Sequence, residues 1–152
     1  MRVPVPEDGG PDDPVADADY ASAFRVRTGG GARGWTPTDW TRAVFEGGPA
    51  PVRMFVQLGW RFVLRLRLGG SGADRVAGWR VTSADATSAT LSAESPLLDA
   101  RNTAIVGDDD VTWVTRVRFR RPPGRLVWTV AAQVHHVVVP YLLRRAARKA
   151  AE

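Results

Sequence analysis

Val111-Thr112-Trp113-Val114-Thr115-Arg116-Val117-Arg118-Phe119-Arg120-Arg121 is the stretch whose pattern decides the fold. Val111, Trp113, Thr115, Val117 and Phe119 share one parity, and Thr112, Arg116, Arg118 and Arg120 the other, with Val114 the exception. Alternation with a period of two puts one set on each face of a strand, so this strand has an apolar face and a cationic one. Pro122-Pro123-Gly124 ends it, because proline cannot donate to a ladder. The period then changes. Val127, Val130, Ala131, Val134, Val138, Tyr141 and Leu142 recur at helical spacing and predict a long helix over 125–150. Arg144, Arg145, Arg148 and Lys149 fall near its C-terminus, where the helix dipole favours cations. Pro140 predicts a kink, since it removes a hydrogen bond and crowds the preceding turn.

Upstream, alternating patterns predict strands over 75–83, 86–95 and 98–107, with turns at Asp85 and Asp108-Asp109-Asp110. Strands so closely spaced form an antiparallel meander. Gly69-Gly70-Ser71-Gly72 is a flexible loop before them. Val52, Phe55, Val56, Gly59, Phe62, Val63 and Leu66 predict a helix over 51–68, with Gln57, Arg61 and Arg65 opposite. Such a basic amphipathic helix suits a membrane surface, but packing on its own domain's sheet is the preferred reading. Thr36 as N-cap and Pro37 at the first position start an earlier helix that buries Trp40 and Val44. Gly47-Gly48-Pro49 ends that helix. Tyr20, Ser22, Phe24 and Val26 predict a first strand over 20–28. Gly29-Gly30-Gly31 is a turn, because the lysine and Ser/Thr of a phosphate loop do not follow. Residues 1–18 form a flexible acidic leader, and residues 19–150 one domain. The fold class is α+β: an antiparallel sheet wrapped around a long C-terminal helix, with two helices after the first strand.

Composition narrows the chemistry. The chain of 152 residues is 44% hydrophobic and 24% charged, as a soluble domain with one core would be. It has no cysteine, which excludes disulfides, thiolate nucleophiles and cysteine-ligated metals. His135 and His136 alone do not make a metal site, and neither metal nor cofactor is expected. Residues 1–20 set Glu7, Asp8, Asp12, Asp13, Asp17 and Asp19 against Arg2, which leaves the rest strongly basic. The arm could compete for an anion surface, although a solvated surface with a loose terminus is the simpler account. There is no apolar signal-peptide core at the N-terminus. The run 54–68 is broken by Arg61, Arg65 and Arg67 and is shorter than the ~20 residues of a spanning helix. The expectation is a cytoplasmic protein without a transmembrane segment.

The element order, together with Asp19-Tyr20-Ala21, Trp35-Thr36-Pro37, Leu58-Gly59-Trp60-Arg61, Gly78-Trp79-Arg80, Ser95-Pro96-Leu97-Leu98, Val111-Thr112-Trp113 and Val139-Pro140-Tyr141-Leu142, resembles the START-like superfamily, also called SRPBCC or polyketide-cyclase-like. The subgroup resembled is a set of small bacterial proteins classed as a domain of unknown function. The resemblance implies a helix-grip fold over about 19–147. It also implies a hydrophobic ligand between the sheet and the last helix. Some members are cyclases or dehydratases, but the resemblance carries over no catalytic residue.

Candidate chemistry is thin. His135 falls at the flank of the last helix's apolar face, fit for a polar anchor or a boundary hydrogen bond, and His136 points away toward solvent. Glu94, Asp99, Arg101 and Asn102 surround the Ser95-Pro96 turn, where hairpin charges usually pair across strands. There is no G-x-S-x-G, no H-E-x-x-H and no Cys–His pair. The tryptophans say more. Trp79 and Trp113 face inward from strands, and Trp128 lies early in the last helix. The expected ligand-binding set is Trp79, Asn102, Trp113, Thr115, Val117 and Phe119 from the sheet. Val130, Val134, His135 and Val138 complete it from the helix. The first reading is a binding module for a small hydrophobic or aromatic molecule. The second is a cyclase or dehydratase using the same cavity. The third is a nucleic-acid or anionic-surface binder through Arg80, Arg116, Arg118 and Arg120. Nucleic acid is the disfavoured partner, because no aromatic residue interleaves with those arginines for base stacking. Homodimerisation stays open.

Overall fold

A computed structural model describes residues 2–5, 18–28, 34–70 and 72–151. Its elements in chain order are β1 (Arg2–Val3), β2 (Tyr20–Arg27), α1 (Pro37–Phe45), α2 (Ala50–Leu58), a π-helical turn (Gly59–Val63), β3 (Arg75–Val76), β4 (Trp79–Ala84), β5 (Ser88–Glu94), β6 (Leu98–Val106), β7 (Asp110–Phe119) and α3 (Pro122–Ala150). The architecture is α+β. One open antiparallel sheet has the order β1-β2-β7-β6-β5-β4-β3, and α3 packs on it. The strands from β3 to β7 follow one another as a meander, and β2 returns to pair with β7. Arg2 and Val3, expected within a flexible leader, instead pair with Phe24 and Ala23. The remainder of that leader, residues 6–17, lies outside the described residues, as does the glycine turn 29–31.

Local chemistry sets the element ends. Thr36 and Asp39 form a capping box at the start of α1: the Asp39 amide donates to Thr36 Oγ1 at 3.1 Å, and the Thr36 amide donates to Asp39 Oδ2 at 2.8 Å. What reads as strand 75–83 is a two-residue hairpin between β3 and β4. Its turn residues Ala77 and Gly78 have φ of 51° and 91°, the paired positive angles of a hairpin turn that twists with its strands. A Cβ on Gly78 would sit 2.8 Å from the Leu68 Cβ.

The helix expected over 51–68 is shorter and differently placed. It runs through α2, widens into the π-helical turn and stops at Leu64. No side chain of α2 is buried, so it does not cover the sheet as anticipated. Gln57 tethers it, donating from Nε2 to the Ala77 carbonyl at 3.0 Å. The π-helical turn resets the phase after Leu58. Trp60 then packs edge-on to Phe45 and Trp79, with centroids 4.7 and 5.4 Å apart, while Phe62 stays exposed.

The long helix presents the expected face in part: Leu142 is buried, and Val127, Ala131, Val138 and Tyr141 pack partly against the core. It buries Trp128, Ala132, Val139, Leu142, Leu143, Ala146, Ala147 and Ala150. Val130 and Val134 are exposed. Its ring contacts with the sheet join Trp128, His135 and His136 to Tyr20 and Phe24 of β2, while Leu142 reaches the segment after α1 at Gly48. By length and composition α3 could cross a bilayer, which the run 54–68 could not. It packs on β2, β7 and α1, with 28% of its most apolar 18-residue stretch buried.

Candidate functional site

The register of β6 and β7 builds the floor of the site. Ala100 stands opposite Val117, Asn102 opposite Thr115 and Ala104 opposite Trp113, all on the inward face. Ala100 and Thr115 are small, so the floor is low between tall neighbours. Phe45, Trp60, Trp79 and Trp128 stand around it. Phe45 braces against Trp60, Trp79 and Trp113 at centroid distances of 4.7, 5.7 and 5.1 Å, geometry that holds aromatic groups in place. Over the floor the space is unfilled, and a cavity of about 560 Å³ remains. Ala131, Val134, His135, Val138 and Val139 close it from α3. Phe55, Leu58, Phe62 and Val63 wall it on the α2 side. A second space of about 260 Å³ continues between α2 and α3 and shares Phe55 and Val138 with the first.

Asn102 is the polar centre of the floor and is 4% exposed. Its Oδ1 accepts from Trp113 Nε1 at 3.1 Å and from Thr115 Oγ1 at 2.6 Å. An indole N–H can only donate, so it fixes which way the amide points. The Nδ2 group donates to no protein acceptor among the described residues. Three nitrogens on lining residues, Trp79 Nε1, Trp128 Nε1 and His135 Nε2, are buried without a partner. A buried polar group left unsatisfied costs about 1–3 kcal/mol.

His135 lies among rings. Trp128, Phe24 and Tyr20 have centroids 5.5, 6.2 and 6.4 Å from its own. Burial, followed by the charges of His136 and Arg2, pushes its imidazole down to about 3. It is therefore neutral at physiological pH. His136 does not point to solvent as expected. Tyr20 Oη bonds its Nε2 at 2.5 Å, and the two rings stack 6.0 Å apart, because β2 reaches along this flank of α3. Burial and then Arg2 hold its pKa below the usual imidazole value.

Of the anticipated binding residues, Trp79, Asn102, Thr115, Val130, Val134, His135 and Val138 all line the cavity. Trp113 and Val117 do not. Both are fully buried, and Trp113 acts on the site through Asn102 and Phe45. Phe119 lies away from it at the end of β7, under the Arg125 guanidinium at 5.4 Å. The walls from α2 and the π-helical turn went unassigned to the site. Their signal is the apolar spacing of 52–66, which by sequence reads as sheet packing.

Of the arginine stripe read in the sequence, Arg80, Arg118 and Arg120 are exposed, as a solvated face would have them. Arg116 is buried instead, and register sets it across from Arg101 on β6. Arg80 pairs with Glu94 at 2.5 Å and Arg120 with Asp99 at 2.8 Å. These carboxylates bind neighbouring strands together, and neither lines the cavity. Comparison with protein-family models, with curated proteins and with solved structures finds no match.

Proposed function

We propose that the protein binds a small, mainly apolar molecule carrying a hydrogen-bond acceptor, in the cavity between the sheet, α2 and α3. We further propose that it is a helix-grip protein of the START-like kind. The observation that carries the ligand reading is a 560 Å³ apolar space with an unengaged amide on its floor. Ligand sites commonly have volumes of about 300–1,000 Å³, apolar walls and a few convergent polar groups. Asn102 Nδ2 would donate to a carbonyl, carboxylate or ether oxygen, while the aromatic walls take the apolar body. Apolar surface removed from water stabilises the complex by about 25 cal/mol per Å².

A cyclase or dehydratase is the second reading. Its proton transfers would have to pass through His135, the one titratable side chain lining the cavity among the described residues. An imidazole held near 3 is a weak base at neutral pH. Binding without turnover therefore fits the site better.

Native mass spectrometry of gently purified protein should show a co-purified small molecule. In its absence, titration with 1-anilinonaphthalene-8-sulfonate should quench the cavity tryptophans Trp60, Trp79 and Trp128. Ala131→Phe and Ala100→Leu fill the space from opposite sides, and each should weaken the probe about tenfold or more with the fold intact. A bare chain that binds no probe would sink the reading.

A further inference from the structure

The exposed apolar side chains form two rows at the cavity mouth. Met54, Phe55, Leu58 and Phe62 belong to α2 and the π-helical turn; Leu126, Val130, Val134 and Val137 belong to α3. Phe55 and Phe62 meet Val130 and Val134 across the larger cavity, and Phe55 meets Val137 across the smaller one. Phe62 and Leu126 are each 71% exposed. Monomeric soluble proteins seldom leave a continuous apolar patch of this kind bare.

The charge around the rows has one sign. No acidic residue lies between Glu46 and Asp74, and none between Asp110 and Glu152. Both rows fall inside these acid-free segments. Arg53 and Arg61 accompany the first and Arg125 the second; all three are exposed. Two copies of this face would set arginine against arginine with no carboxylate from either row's own segment to answer it, which disfavours a self-complementary dimer. An apolar stripe flanked by cations fits an anionic lipid surface instead. Apolar groups enter the headgroup boundary, and guanidinium groups remain with the phosphates.

We propose that this face docks on anionic bilayers, seating α2 and the first half of α3 at the lipid interface with the cavity mouth toward the acyl region. Loading of the cavity from the bilayer is a corollary that rests on the ligand reading above; the docking itself does not.

The test uses the full chain with vesicles of phosphatidylcholine alone, and with about one-third phosphatidylglycerol. The protein should sediment with the anionic vesicles at least about tenfold more tightly than with the neutral ones, and release as salt rises. Each arginine at an anionic surface is worth about fivefold, so Arg53→Glu with Arg61→Glu should cost about 25-fold or more. Met54→Ser with Leu126→Ser removes two exposed side chains that do not line the larger cavity. That pair should weaken vesicle binding about tenfold while leaving anilinonaphthalene sulfonate binding unchanged. Several results would overturn the docking: no sedimentation at low salt, equal affinity for both vesicle types, or variants that bind like the wild type. So would a concentration-dependent dimer, seen by sedimentation velocity, that the Met54/Leu126 variant abolishes. Vesicle binding with no probe binding would remove the ligand reading and leave the docking standing.

Discussion

Helices α1 and α2 make an instructive pair. Each has nine residues and each is amphipathic, and α2 is the more apolar of the two. Yet α1 buries Pro37, Trp40, Thr41, Val44 and Phe45, while α2 buries nothing. The sheet beneath explains the difference. α1 packs over β5 and β6, where the inward Leu91 and Ala93 are buried, and of its own residues only Phe45 reaches the cavity. On the α2 side the floor drops to Ala100, Asn102 and Thr115, and the helix stands at the rim of an open space. An amphipathic pattern states that a face needs cover. It does not state whether the cover belongs to the same chain.

The sharpest way to break this comparison is to remove a side chain from each half. Trp40→Ala empties a fully buried site under α1 and should cost about 3–5 kcal/mol, read from denaturant midpoints. A cost below about 1 kcal/mol would mean that the α1 half is not the solid core described here.

The cavity half should carry the pH dependence. The His135 imidazole is held down to about 3 in the fold, against an ordinary value near 6.5 once unfolded. Between these values the unfolded chain binds a proton that the folded chain refuses. Stability should therefore be intact above pH ~6.5 and fall as pH drops toward 3, by up to about 1.4 kcal/mol per pH unit. His135→Leu should flatten this limb. An unchanged pH profile in that variant would show that His135 is already solvated. Asn102→Ala, on the same side, strands the Trp113 indole N–H and the Thr115 hydroxyl and should cost about 1–3 kcal/mol. Trp113 fluorescence should shift with it, although no ligand reaches that ring.

Much of the α1 half was legible in the sequence. The capping box at Thr36, the period-two pattern of 111–119 and the turn aspartates each act through neighbours in sequence, and those elements fall where expected. The burial along α3 was legible only in part. Val127, Val130, Val134 and Val138 look like a core face, yet Val130 and Val134 are exposed at the cavity while Trp128 and Ala132 are buried. Which of them packs depends on the floor they meet rather than on the helix itself. The burial of Arg116 was equally hidden, because parity places a side chain on a face and cannot reveal how closely that face is enclosed. The phase shift at Gly59–Val63 escaped for a related reason: a π-helical turn adds a residue to the period without leaving a mark in composition.

The smallest expected effect sharpens the comparison most. Phe62 is a large aromatic residue on an apolar helical row, and by sequence alone Phe62→Ser looks as harmful as a core deletion. In the structure its ring is mostly in water. Replacing it removes little buried surface, so stability should change by no more than about 0.5 kcal/mol, with the denaturant slope unaltered. The same substitution should still weaken vesicle binding, because the ring's contact is then with lipid and not with the fold. If Phe62→Ser instead costs about 2 kcal/mol or more, the ring is packed in solution. The π-helical turn would then close over the cavity, α2 would be a second α1, and the contrast between the two helices would disappear.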